Sequence, residues 1–179
     1  MATFRSPSSR TPVLLAAFTA FMVGAGWFVW HTGQQLPAVS AVHFELSGVA
    51  NGYMPRRYYL QGMVLFVAAL PLLLGLVVHR ALGKPDAPIG LPQAAWWLAA
   101  ERRGATVAWL RRFFLLFPCL LSAFLAWAHW MVVQANHARP AQMEMGELLG
   151  GLGVFIAAVL VATAVFVRHF RRVPPGVAG

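Results

Sequence analysis

The residues best able to do chemistry in this 179-residue chain are its six histidines, and four of them fall near two of its connections. His31 and His43 lie between the first and second apolar runs, His129 about one turn inside the end of the third, and His137 just beyond it. Met131, Met143, Glu144, Met145 and Glu147 belong to the same stretch. Imidazole with thioether suits copper, and imidazole with carboxylate suits zinc. The best set for either metal is His43, His129 and His137. No pair has the tight HxH or HxxxH spacing of a helical or strand ligand pair, and methionine is an ordinary residue of membrane cores. The plainer role for His43 is to hydrogen-bond a backbone carbonyl and pin its loop.

Other chemistries find less support. A serine hydrolase would have to draw Ser40, Ser47, His43 and Glu45 from one short loop, whereas a triad needs partners on separate rigid elements and an oxyanion hole. The chain therefore reads as a non-enzyme. None of the apolar runs carries Asp or Glu, so a proton relay lacks its usual carboxylate. A histidine inside a span is a functional candidate, because burying its ring in lipid is costly. Trp127 and Trp130 beside His129 also match an interfacial aromatic belt. Gln61 lies similarly near the end of a span. The sole cysteine, Cys119, excludes an intrachain disulfide and any CxxC motif and reads as a small core residue.

The elements that must position these residues are apolar. The chain is 59% hydrophobic and 11% charged, against about 25% charged in soluble domains. It cannot clothe itself in a polar skin, so the bilayer is its solvent. Four runs reach the length of about 20 residues that a spanning helix needs: Pro12–Trp30, Tyr58–Val78, Phe113–Val133 and Leu148–Val167. The expected fold is an all-α integral membrane protein of four transmembrane helices. Internal Pro71 and Pro118 are tolerable as kinks. The first run continues through Trp27, Phe28 and Trp30, where signal cleavage would need small residues, and so predicts an uncleaved anchor.

Net charge is +9. No aromatic-basic module accompanies it, so nucleic acid is not an expected partner. Of the 14 basic residues, 11 fall in the N-terminus, the connection between spans two and three, and the C-terminus. Positive-inside bias places both termini of a multi-pass membrane protein in the cytoplasm, with the loop between spans one and two outside. Small residues recur every four positions at Ala16, Ala20 and Gly24, at Gly146 and Gly150, and at Gly153 and Ala157, and such stripes let helices approach closely. PQAAWWLAAERR (residues 92–103) fits either a short helix at headgroup level or an extension of span three. The tail VPPGVAG is expected to be disordered.

The outer segment LPAVSAVHFELSGVANG (residues 36–52) is conspicuously polar for this chain. Pro37 fixes φ, Val42 and Phe44 flank His43 in strand alternation, and Gly48 and Asn51-Gly52 are turn formers. A compact cap is predicted. Its spacing is specific: Leu36-Pro37, His43 six residues past the proline, then Phe44, Gly48, Asn51 and Gly52-Tyr53. This resembles the bacterial membrane domain of unknown function that opens the SdpI-type immunity proteins. Ala41 stands where that family usually has a second proline, and Asn51 where it usually has aspartate. The resemblance covers roughly residues 12–80, within a first unit of residues 1–80 whose outer loop is 31–57. The remainder divides into a basic connection (81–112), a second pair of spans (113–167) and a basic tail (168–179).

The resemblance implies an inner-membrane protein, in some members protecting against a secreted toxin or sequestering a repressor. It further implies that Pro37, His43, Phe44, Gly48, Asn51 and Gly52 meet a ligand or partner. The partners to expect are the lipid bilayer, a secreted peptide or toxin, or another membrane protein to which this chain is an accessory subunit. Oligomeric state is not legible.

Overall fold

A computed structural model describes residues 10–171; the expected disorder of the tail VPPGVAG lies outside them. The elements in chain order are α1 (Arg10–Gly33), β1 (Val39–Phe44), β2 (Ala50–Pro55), α2 (Arg56–Val64), a π-helical turn (Leu65–Ala69), α3 (Leu70–Ala81), α4 (Ala94–Trp97), α5 (Ala100–Phe113), α6 (Leu116–Ala135) and α7 (Met145–Arg171). Four helical segments are long and apolar enough to cross a membrane: Pro12–Gly33, Arg56–Ala81, Ala100–Ala135 and Met145–Arg171. Each contains one apolar run and extends beyond it, because the flanking Arg, Glu, Gln and Ala are good helix formers even where they are poor lipid solutes.

Both prolines sit where the helix can absorb them. Pro71 cannot donate to the carbonyl four residues back, at Val67. Immediately before it the backbone widens into the π turn, with Leu70 N–H donating to Leu65 O five residues back. Pro118 is the third residue of α6, after a break at Phe114–Leu115. First-turn amides have no intrahelical partner, so the missing N–H costs little there. The third span is thus two helices, not one kinked helix.

The main core lies between α1, α2, the π turn and α6, at the end that carries the β-strands. Val29, Leu36, Leu60, Val67, Met131, Val133 and Met143 are buried in it. Phe18, Met22 and Leu115 form a smaller core toward the other end, with half-buried Cys119 against it. α7 is peripheral. It meets α6 through Phe155 stacked on Phe124 at 4.9 Å and through Gly151, where a Cβ would strike the Trp127 ring. Phe166 packs against Phe113 at 5.3 Å and Trp109 at 6.0 Å, and much of the remaining apolar surface is open, with Val154, Leu160 and Val161 among the exposed residues.

The small-residue stripes do not make the helix contacts expected of them. Ala16, Ala20, Gly24, Gly146, Gly150, Gly153 and Ala157 are all exposed. Close approach occurs instead at Gly26 against Ala68, Gly33 against Leu60 and Gly75 against Phe18. Spacing alone shows that a smooth face exists, not which way it points.

Around Trp96 and Trp97 a separate short helix, α4, precedes α5, which extends the third span. Trp97 turns toward α7, its Nε1–H donating to Phe170 O at 3.0 Å. The His169 ring lies between Trp97 at 5.2 Å and Trp109 at 4.4 Å, while the Arg102 guanidinium covers Trp96 at 3.7 Å.

Candidate functional site: a mounted hairpin over a buried histidine

The segment between α1 and α2 folds as a two-stranded antiparallel sheet, pairing Ser40 with Met54, Ala41 with Tyr53 and His43 with Gly52. The chain reverses at Glu45–Val49, where Glu45 N–H donates to Val49 O (2.9 Å) and Gly48 N–H to Glu45 O (2.8 Å). Gly48 has φ +83°, and a Cβ there would collide with the Met143 carbonyl. Glycine is required on both counts. Gly48 O also accepts from Met143 N–H at 2.9 Å, next to a β-bridge between Val49 and Gln142.

Asn51-Gly52 is not a turn. It lies inside β2, where pairing skips Val42 on one strand and Asn51 on the other, so both are bulge residues. Asparagine and glycine suit a bulge for the same reason that they suit a turn. A Cβ on Gly52 would sit 2.9 Å from His43 Cβ, so Gly52 is needed because the strands close in on each other there.

The clamp on this hairpin comes from beyond α6. Asn136 Oδ1 accepts from Ala41 N–H at 2.9 Å, and its Nδ2 donates to Ala41 O at 2.9 Å and to Val132 O at 2.8 Å. One side-chain amide thus imitates a neighbouring strand along the outer edge of β1. Arg56 closes the base of the hairpin: its N–H donates to Ala38 O (2.9 Å) and its Nη1 to Leu36 O (2.9 Å) and Gln34 O (3.1 Å). Buried Ser40 donates to Pro37 O at 2.9 Å, fixing the path out of α1. Phe44 packs against the core beneath.

His43 does not pin the loop. Its ring is exposed, lies over Gly52 and makes no hydrogen bond among the described residues. The ordered histidine is His129, which is fully buried. Its Nδ1 is 3.1 Å from Tyr59 Oη and its Nε2 is 3.0 Å from Thr32 Oγ1. Thr32 spends its single proton on Phe28 O at 2.7 Å, so it can only accept from His129. Nε2 therefore carries the proton, and Nδ1 receives that of Tyr59. The chain Tyr59→His129→Thr32→Phe28 is saturated and joins α2, α6 and α1 directly beneath the hairpin. The interfacial-belt reading fits exposed Trp127 but not the inward-facing His129.

His43, His129 and His137 are not gathered together. His137 is exposed, with Nδ1 at 3.1 Å from Gln134 Oε1, and both nitrogens of His129 are occupied. Among the described residues no three His, Cys, Asp or Glu side chains are grouped so as to hold a metal ion.

One edge of the sheet stays open. Ala41 directs both its backbone groups outward to Asn136, so it occupies a position in the ladder that is not hydrogen-bonded to β2. Its partner Tyr53 then also points N–H and C=O away from the sheet, on the far side. Nothing among the described residues meets those groups, and the Tyr53 side chain is 62% exposed. The edge ends at Pro55, which has no N–H to offer. Asn136 and the open edge were missed from the sequence. Asn136 lies 95 residues from its partner, and only the folded register shows which edge is free. No family model, curated protein or solved structure matches this chain.

Proposed function

We propose that this is a bacterial inner-membrane binding protein of the immunity type, whose hairpin faces outward and receives an extended segment of a secreted peptide or toxin along β2. The observation that carries this reading is the asymmetry of the sheet: β1 is occupied by Asn136, and β2 presents Tyr53 N–H and C=O with no partner. Strand addition to such an edge gains main-chain hydrogen bonds, with side chains supplying selectivity. The SdpI-associated spacing falls on this element, and Pro37, Phe44, Gly48, Asn51 and Gly52 act in it by shaping the hairpin. Exposed His43, Asn51 and Tyr53 are among the side chains available to a ligand. Orientation rests on charge: Arg80, Lys84, Arg102, Arg103, Arg111 and Arg112, between the end of α3 and the end of α5, are six of the 14 basic residues and lie at the end of the bundle away from the hairpin, which favours the cytoplasm for that end and for both termini.

The test is a proline scan of β2 in a sensitive bacterial host that expression of this chain protects from a secreted peptide toxin. Proline is tolerated in a strand where the N–H faces outward. Tyr53→Pro should keep membrane insertion and abolish protection. Full protection by that variant would contradict the reading.

A second reading, an accessory subunit of a larger membrane complex, is favoured by the outward-facing small-residue faces of α1 and α7. Purification in mild detergent at native expression should then yield a larger assembly, and a solitary monomer would count against it. Copper or zinc binding would have to rely on exposed His43 and His137, with His129 released from its partners.

A further inference from the structure

At the end of the bundle opposite the hairpin, an imidazole is buried without a partner among the described residues. His79, in the last turn of α3, is 6% exposed, and neither of its ring nitrogens has a hydrogen-bond partner among the described residues. Such a group costs stability unless something fills the space it faces. That space exists. His79 lines a cavity of about 90 Å³ between α1, α3 and α5, together with Gly104, Arg111 and Arg112 and the apolar Leu14 and Leu115. The volume far exceeds the roughly 10–15 Å³ that one water needs and accommodates a tetrahedral oxyanion.

The donors around it are of one kind. Arg111 is held in place by its Nε, which donates to the His79 carbonyl at 2.9 Å, leaving its terminal nitrogens available. Arg112 is exposed at the rim. An imidazole presents at least one N–H in either protonation state. Among the described residues no carboxylate lines the cavity, and its apolar walls strengthen the field of the two guanidiniums. The depth is also telling, because His79 directly follows the apolar run that ends at Val78, where a lipid phosphate would lie.

We propose that this cavity is a phosphate-binding site, with Arg111, Arg112 and the His79 ring as donors, occupied by the phosphate of an anionic lipid headgroup or by free phosphate. Guanidinium forks match phosphate oxygens bidentately, and basic pockets between spans suit anionic headgroups.

The experiment uses the full chain in nanodiscs of phosphatidylcholine containing phosphatidylglycerol, with native mass spectrometry counting retained lipid, and a second arm titrating inorganic phosphate into phosphatidylcholine-only discs. Gly104→Leu fills the cavity where a Cβ meets nothing within 4 Å, and Arg112→Gln removes a rim charge without touching a packed side chain. Loss of one charge-assisted hydrogen bond should weaken retention about tenfold or more. Selective retention of phosphatidylglycerol that both variants lose identifies the headgroup. Phosphate binding that both variants lose, without lipid selectivity, identifies the free ion. Binding of neither, or binding equal in wild type and both variants, overturns the proposal. His79→Leu should weaken whichever binding is found, and Gly104→Leu and Arg112→Gln decide the matter if that variant does not fold.

Discussion

Asn136 holds Ala41 by both its backbone N–H and its C=O, each at 2.9 Å, across 95 residues of sequence. This contact makes the hairpin part of the helical bundle and settles which strand edge is left over.

Asn136→Leu should therefore loosen the hairpin without preventing insertion. Three hydrogen bonds go, and Ala41 is left with two unpaired groups, at a cost of about 2–3 kcal/mol. Hydrogen exchange should show the Ala41 amide exchanging far faster, with the α6 amides unchanged. Asn136→Asp should be nearly as harmful, because it keeps the acceptor for Ala41 N–H but sets a carboxylate oxygen against two carbonyls.

Gly52→Ala should be disruptive because of His43, since the new Cβ would lie 2.9 Å from His43 Cβ. His43→Gly in the same chain should restore much of the loss, a coupling of about 1 kcal/mol or more between neighbours in contact. Gly48→Ala should find no such rescue, because the obstacle is the Met143 backbone and the φ of +83° is itself costly. Thermal unfolding in detergent of the singles and the double separates the two cases.

The saturated chain through His129 predicts a fixed tautomer. Ring nitrogen shifts in a histidine-labelled sample should show Nε2 protonated and Nδ1 bare. Tyr59→Phe should destabilise by about 1–2 kcal/mol by leaving Nδ1 without a donor. Thr32→Val should strand the Nε2–H. The double variant should cost less than the sum, since the two act on one network.

Cysteine labelling of intact cells checks orientation. In a Cys119→Ser background, a cysteine at exposed Ser47 in the hairpin turn should react with an impermeant maleimide, and one at Ala87 in the connection before α4 only after permeabilisation. The reverse pattern would invert the protein in the membrane.

What the sequence disclosed follows the range of the forces involved. Four spans are legible because solvation by lipid acts residue by residue, and Tyr58–Val78 or Leu148–Val167 needs no partner to declare itself. The extended piece around His43 and the turn at Gly48 are also local, although the Met143 carbonyl that Gly48 must clear is not. Asn51-Gly52 misleads, because the backbone freedom that makes a turn also makes a bulge, and only strand register tells them apart. Asn136 and the partners of His129 depend on how α6 is rotated against α1 and α2. No stretch of the chain shorter than the whole bundle holds that information. The stripe Ala16, Ala20, Gly24 shows the same limit: its spacing is visible, but the direction it faces is not.

The most direct test of the open edge is amide exchange at two adjacent residues of β2. In the free protein the Tyr53 amide should exchange rapidly and the Met54 amide, directed at β1, slowly. On addition of the secreted peptide Tyr53 should become protected while Met54 stays as it was. A Tyr53 amide already slow in the free protein, or one that the bound peptide leaves fast, would contradict strand addition at this edge.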